Sequence, residues 1–371
     1  MATKTNNVTK KSTGGLLGGL ILLVIGIGIL WSNEGRTVKN QSGINEALKN
    51  VIEVKSAKID SKNEGKLIAT TGKIDLGSSE ELTDSTFGIK VKAAKLERIV
   101  EVYQWVENCE TDENDKETCT YNKEWKDDLV DSTDFKKSGY TNPTSLAYQP
   151  QVYSASNIHV GAFELPERLL TSLSFDKELY NEQLKDLYKN NIEGYKVNGD
   201  YITNMVNIDD PQIGDTRISY KYASDGEVSL IGVQDGNTLK AYKAKKGKTI
   251  FEIRRGSYTA REIFDKMTSS NKTMKWLLRF LGIFLVISSI GSIFAPLQKL
   301  TSKVPILSNL VNMSTSLIST VVGLAISFIV IAIAWFRFRP VLSIVLLGVA
   351  VCLIIFLKMK NNENVDDNKT N

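Results

Sequence analysis

Apolar residues are distributed along this chain in two distinct ways. Residues 15–32, 274–296, 314–336 and 340–358 are almost continuously apolar, whereas residues 33–272 are polar with short apolar runs. A bilayer core of about 30 Å takes roughly 20 apolar residues as helix, so the four long runs predict four transmembrane helices. Residues 1–14 and 359–371 are polar tails, the second apolar-poor and expected to be disordered, and 297–313 is the loop between the second and third spans.

Inside the polar block the period changes to two. Val100, Val102 and Val106 alternate with Ile99, Tyr103 and Trp105, and residues 67–72, 89–106, 121–130, 216–222, 227–234 and 248–254 all read as strands. Residues 107–120 read as a long hairpin tip. Asp225-Gly226 and Asp235-Gly236 mark hairpin turns. Residues 157–162 form a short strand and 175–190 an amphipathic helix. Thr259 and Glu262 fit a capping box that starts a helix leading into the second span. Asn33-Glu34-Gly35-Arg36 and Asn63-Glu64-Gly65-Lys66 repeat one pattern and read as turn or helix-terminus elements in which glycine takes positive φ. The expected architecture is an α+β membrane protein. Its four transmembrane helices carry a large, mainly β domain (33–272), extracytoplasmic or luminal, inserted between the first and second.

Charge sets the expected orientation. Lys4, Lys10 and Lys11 precede the first span and Glu34 follows it, which favours a cytoplasmic N-terminus. The first span has no small-residue cleavage site at its end and reads as an uncleaved anchor. Four spans then return the C-terminus to the same side. Lys272, Lys275, Arg279, Arg337 and Arg339 count the other way. A net charge of +4 over 371 residues argues against a dedicated nucleic-acid surface.

Candidate chemistry is sparse. One histidine and three cysteines leave no His- or Cys-rich set for a metal, and no cofactor is expected. His159 lies in a strand with no serine or cysteine motif beside it and reads as structural. No phosphate loop or dinucleotide turn occurs, and no carboxylate pair stands out for acid–base work, so no catalytic residue is assigned. Cys352 reads as a packing residue in the last span, while Cys109 and Cys119, at the ends of neighbouring strands, form a possible disulfide. The first span carries Gly14/Gly18 and Gly15/Gly19 at small-xxx-small spacing, a possible helix-packing ridge. Arg337 and Arg339 are possible lipid headgroup contacts. Apart from Arg279 near one end, the spans hold essentially no ionisable residue, which argues against an ion path.

Several segments resemble one family. Asn33-Glu34-Gly35-Arg36, Asn63-Glu64-Gly65-Lys66-Leu67 and Lys95-Leu96-Glu97-Arg98 look like segments of the LUMA (transmembrane protein 43) family. So do Glu101-Val102-Tyr103-Gln104-Trp105-Val106-Glu107, Tyr121-Asn122-Lys123-Glu124-Trp125, Ile213-Gly214-Asp215-Thr216-Arg217-Ile218-Ser219 and Phe338-Arg339-Pro340. The resemblance runs through nearly the whole chain in order, and its Tyr-Gln-Trp-Val-Glu segment is the most specific part. It implies a four-span protein with a luminal or external domain, a homo-oligomer with no catalytic residues. The implied role is to organise complexes at the endoplasmic reticulum and inner nuclear membrane, with emerin and lamins as partners in eukaryotes, or at the cytoplasmic membrane in a bacterium. The expected function is therefore a non-enzymatic membrane scaffold whose partners are the lipid bilayer, its own copies and other membrane proteins, with no nucleic acid. The alternative is a channel- or transporter-like or lipid-binding membrane protein.

Overall fold

A computed structural model describes residues 3–77, 81–111, 117–245, 247–298, 315–336 and 340–367. Among them are six helices, numbered along the chain: α1 (Thr3–Asn50), α2 (Glu167–Ser172), α3 (Asn181–Leu187), α4 (Ala260–Gln298), α5 (Thr315–Phe336) and α6 (Pro340–Asp367). The chain divides into two compact units. One is helical and holds the described residues up to 49, 243–249 and those from 262 onward; the other is mainly β and holds residues 50–242 and 250–261.

In the helical unit, α1, α4, α5 and α6 are each long and apolar enough to cross a membrane. Three of them exceed the bounds predicted for their spans. Helix α1 does not end at residue 32 but continues through Asn33-Glu34-Gly35-Arg36 to Asn50, α6 runs past 358, and α4 starts at Ala260, where the capping box at Thr259 and Glu262 predicts a helix leading into the second span. Residues 33–49 and 262–272, expected in the β domain, thus belong to the helical unit. The C-terminal tail, expected to be disordered from 359, is helical to Asp367. The predicted loop 297–313 falls largely outside the described residues, as do Arg337 and Arg339.

The β unit contains two seven-stranded sheets, with strands numbered β1–β18 along the chain. The first sheet runs β15 (Thr238–Lys240), β14 (Glu227–Asp235), β2 (Leu67–Asp75), β8 (His159–Val160) and β9 (Phe163–Glu164). In it β1 (Ile52–Lys55) lies parallel to β2 and β18 (Glu252–Arg255) antiparallel to β14. The second runs β11 (Lys196–Asn198), β12 (Tyr201–Thr203), β13 (Thr216–Ala223), β5 (Lys95–Thr111) and β6 (Glu117–Lys126). Here β10 (Lys177–Glu178) flanks β13 and β7 (Gln151–Ser154) flanks β5. Two ribbons, β3 (Leu82–Asp84) with β4 (Ile89–Val91) and β16 (Tyr242–Lys243) with β17 (Thr249–Ile250), complete the described strands of the chain, residues 243–249 of the second being counted in the helical unit. Strand β14 is buried from Val228 to Gln234, so its near-continuous apolar run is that of a strand covered on both faces. Strand β5 alternates: Leu96 and Val100 point into a core with Ile202, Ile218 and Tyr220 and Val102 is buried beyond them, while Glu97, Ile99 and Glu101 face outward, half-buried.

Local signals met different fates. Asp235-Gly236 does close the hairpin β14–β15, with Gly236 at φ +63°. Asp225-Gly226 does not close one, because β13 and β14 belong to different sheets. The predicted helix 175–190 shortens to α3, since Lys177 and Glu178 are drawn into pairing with β13. The hairpin tip is shorter than 107–120, because the β5–β6 ladder continues through Cys109↔Cys119 to Thr111↔Glu117. Cys109 and Cys119 are joined by a disulfide.

Candidate functional site

Positions 19, 23, 26, 30, 33, 37, 40, 44 and 47 of α1 follow an unbroken 4-3 spacing. This is the seam of an antiparallel coiled coil, and the partner is α4. A Cβ on Gly19 would fall 2.8 Å from Ile293 Cγ1, and one on Gly26 2.9 Å from Val286 Cγ2 and 3.2 Å from the Gly282 carbonyl oxygen. On the other side, a Cβ on Gly282 would fall 2.7 Å from Leu30. Further along, Asn33 Nδ2 donates to the Lys275 carbonyl at 3.0 Å and Asn40 Nδ2 to Asn271 Oδ1 at 3.3 Å. Ile44 and Ala47 are buried at the far end. The close approach therefore runs through Gly19, Gly26 and Gly282. Gly18 has open space where its side chain would be, and the surroundings of Gly14 and Gly15 are not among those the structure describes.

Gly26→Leu is accordingly expected to force α1 off α4, costing at least the 1–3 kcal/mol of ordinary overpacking, whereas Gly18→Leu should be neutral or slightly stabilising. Thermal unfolding of both variants in mild detergent distinguishes them; equal behaviour would refute the seam.

Where this seam leaves the apolar stretch, three helices meet around one ion pair. Glu34 of α1 and Arg279 of α4 are both buried, and Arg279 Nε and Nη2 donate to Glu34 Oε1 and Oε2 at 2.5 and 2.8 Å. Trp335 of α5 donates its Nε1–H to Glu34 Oε2 at 2.6 Å. The guanidinium lies over the rings of Trp276 and Trp335, 4.9 Å from each centroid. A charge in an apolar bundle is costly unless it is paired and hydrogen-bonded. Here both carboxylate oxygens accept donors, and two aromatic faces take the place of water around the cation. The arrangement joins α1, α4 and α5 at one level. Leu30, Val286 and Ile331 form the buried apolar layer next to it.

Sequence reading named Arg279 but not its partner. Glu34 was assigned to a turn outside the membrane, and Trp335 to the end of a span. The available signal was electrostatic: an arginine inside a predicted span needs an anion at the same depth, and Glu34 is the acidic residue at the matching end of the first span.

The β unit holds a second buried cluster. Asp84 of β3 accepts from Arg98 Nη1 (2.9 and 2.8 Å), from the Tyr220 hydroxyl (2.7 Å) and from the Thr86 backbone N–H (3.0 Å). Arg98 Nε also donates to the Gln149 carbonyl at 3.0 Å. Burial, together with the Asp84 carboxylate, pushes the Tyr220 hydroxyl far above the usual tyrosine range, so it stays a donor. The cluster fixes the β3–β4 ribbon onto the second sheet. His159 is half-buried in β8, with Nδ1 3.0 Å from the Asn157 carbonyl and the Asp75 position opposite it across the ladder. No serine, cysteine or carboxylate is hydrogen-bonded to it among the described residues.

The outer face of the second sheet is a stripe of half-buried aromatic and charged side chains. Tyr103 lies 5.1 Å from Trp125, Trp105 4.8 Å from Tyr140, and Tyr140 stacks on Tyr121 at 4.0 Å between ring centroids. Arg217 pairs with Glu101 at 2.7 and 2.9 Å and lies between Trp125 and Tyr201, 4.4 and 4.7 Å from their centroids.

Comparison with known sequences places the chain. A sequence model described as Transmembrane protein 43 matches residues 102–340. Transmembrane protein 43 of Homo sapiens is 28% identical over 369 residues, covering 94% of this chain and 91% of its own length. The Rattus norvegicus protein of the same name is 29% identical over the same shares. The Drosophila melanogaster homolog is 28% identical over 347 residues, 89% of this chain and 90% of its own. No solved structure matches.

Proposed function

Since the chain belongs to the Transmembrane protein 43 family, an integral membrane protein with four membrane-spanning helices, we propose that it acts as a non-enzymatic scaffold. In this reading it self-associates and gathers other membrane proteins, with the β unit on the extracytoplasmic or luminal side. The observation that carries the reading is the outer stripe of the second sheet. Tyr, Trp and Arg are the residues enriched at protein interfaces and at their energetic centres. Tyr103, Trp105, Tyr121, Trp125 and Arg217, from β5, β6 and β13, bring them together on one sheet face, stiffened by their own stacking and by the Arg217–Glu101 pair. The inventory of a single histidine, held by a backbone carbonyl, supports the non-enzymatic part.

Size measurement of the full chain in mild detergent, with co-purified partners identified, tests this. The native chain is expected to run as an oligomer. Trp105→Ala with Trp125→Ala should shift it toward monomer or strip its partners, with the fold retained by circular dichroism. An unchanged assembly would remove the stripe from the account.

Orientation is tested separately. With both termini cytoplasmic, single cysteines at Thr5, Ser224 and Asn368, in a background lacking Cys352, should be labelled by an impermeant reagent in intact membranes only at Ser224. Labelling at either terminus would reverse the topology.

The alternative, a channel or transporter, draws its support from the Glu34–Arg279 pair, because intramembrane charges often mark ion paths. The clamp argues for a structural role instead, since both charges are satisfied and sandwiched. Ion flux through reconstituted vesicles that is abolished by Glu34→Gln would favour the alternative.

A further inference from the structure

The surface of α1 just beyond the end of its apolar stretch is cut by a groove of about 500 Å³, lined by Trp31, Gly35, Arg36, Lys39, Asn40 and Gly247. Its volume falls in the range of about 300–1,000 Å³ that small-molecule sites occupy. We propose that this groove holds the headgroup of an anionic phospholipid.

Four observations within the helical unit support it. First, the depth is right. Trp31 is the last residue of the apolar run and 53% exposed, as interfacial tryptophans are. At the helical rise, Arg36 and Lys39 follow about 8 and 12 Å further along the axis, at the level of phosphates and glycerols rather than of acyl chains. Second, the cations are not neutralised. Lys39 is exposed and has no ion pair or hydrogen bond among the described residues. Among the described residues the polar partner of Arg36 is Asn33 Oδ1 at 3.1 Å, which orients the guanidinium without cancelling its charge.

Third, the floor of the groove is empty by composition. Gly35 stands in the middle of a helix, where glycine costs about 1 kcal/mol relative to alanine, and nothing lies within 4 Å of where its Cβ would be. Gly19 and Gly26 are explained by a neighbouring helix; Gly35, like Gly18 and Gly28 of the same helix, is not, and of these three it is Gly35 that lies beyond the apolar run and lines the groove. Trp31, Gly35 and Lys39 are spaced four apart and share one face, so the missing side chain leaves room between the interfacial ring and the ammonium. Fourth, the loop beside it is basic. Lys243 ends β16, Lys245 and Lys248 lie between it and β17, and this loop is fastened to α1 by the Lys245 backbone N–H donating to Glu46 at 3.1 Å. A basic pocket at the membrane surface with a planar guanidinium recognises a phosphodiester bearing net negative charge; a zwitterionic choline headgroup would bring a second cation against Arg36 and Lys39.

The test is native mass spectrometry of the full chain in mild detergent, titrated in separate arms with phosphatidylglycerol, phosphatidylcholine and inorganic phosphate. One phosphatidylglycerol per chain is expected to be retained, with phosphatidylcholine bound much more weakly. Arg36→Gln with Lys39→Gln should weaken retention about thirtyfold at low salt. Gly35→Leu, which leaves every charge in place and fills the floor, should weaken it comparably. A groove-independent attraction between lysines and anionic lipid would survive Gly35→Leu, and that result overturns the proposal. Equal binding of phosphatidylcholine overturns it as well. Displacement of the lipid by inorganic phosphate would assign the site to a soluble anion rather than to lipid. Thermal unfolding of the variants in the absence of added lipid should match the native chain or, for Gly35→Leu, slightly exceed it, since a Gly35 side chain would enter open space and leucine is the better helix former; loss of the fold in Gly35→Leu would mean that the position serves packing and would also overturn the proposal.

Discussion

Arg279→Met is expected to destabilise the membrane bundle by about 3–5 kcal/mol, the cost of leaving one partner of a buried ion pair behind. Methionine keeps the length and apolar stem of arginine, so the loss is electrostatic rather than steric. What it strands is the Glu34 carboxylate, buried and left with the Trp335 indole as its donor from a neighbouring helix. The matched double variant, Glu34→Gln with Arg279→Met, removes both charges and should recover most of that loss, because replacing a whole buried pair by groups of similar volume is often close to neutral. The measurement is thermal or denaturant unfolding in mild detergent for the two single variants and the double. Strict additivity across that cycle would show that the two side chains do not act as a pair.

Asp84→Ala is the second large effect, of about 3–5 kcal/mol, this time in the β unit. Asp84 is fully buried and accepts from Arg98, Tyr220 and the Thr86 backbone. Without it the Arg98 guanidinium is a buried cation with a single carbonyl acceptor, and the Tyr220 hydroxyl loses its partner. Tyr220→Phe removes one hydrogen bond to a charged group and should cost only about 1.5–3 kcal/mol. Disulfide-intact full chain, followed by near-ultraviolet circular dichroism through urea unfolding, reports both. A smaller effect for Asp84→Ala than for Tyr220→Phe would contradict the assignment of Asp84 as the centre of the cluster.

What could be read from the sequence depended on whether one residue type carried the signal. Strands β5 and β14 announce themselves through β-branched and aromatic residues, and the four long helices through apolar length. Helix α1 beyond residue 32 was missed because its seam there is Asn33, Thr37 and Asn40: the 4-3 spacing persists while hydrophobicity does not. The repeated tetrapeptide makes the same point about context. At Asn63-Glu64-Gly65-Lys66 it is the expected turn, following a short 3-10 segment, with Gly65 at φ +73° and its N–H donating to the Gln234 carbonyl at 3.0 Å. At Asn33-Glu34-Gly35-Arg36 the same letters are helical, because the preceding membrane helix propagates and α4 supplies partners for Asn33 and Glu34. The clamp was half visible: Arg279 stood out as a charge within a span, but pairing it required the antiparallel register of α1 and α4. Of the glycine ridge, Gly19 meets α4 and Gly18 has open space beside it, and the described contact continues at Gly26, seven residues on, at the coiled-coil repeat.

The register between α1 and α4 also limits how this protein can move. Sliding one helix along the other by a single turn, about 5.4 Å, would carry Glu34 out of reach of Arg279 and leave both charges among apolar side chains. The same slide would push Ile293 and Val286 of α4 out of register with the notches at Gly19 and Gly26, and Leu30 of α1 out of the notch at Gly282. The two helices are thus keyed to each other at several separate depths. A piston stroke between them is closed by the charge pair and the notches alike, and any signal this bundle carries across a bilayer has to travel as a tilt or rotation of the keyed pair as one body.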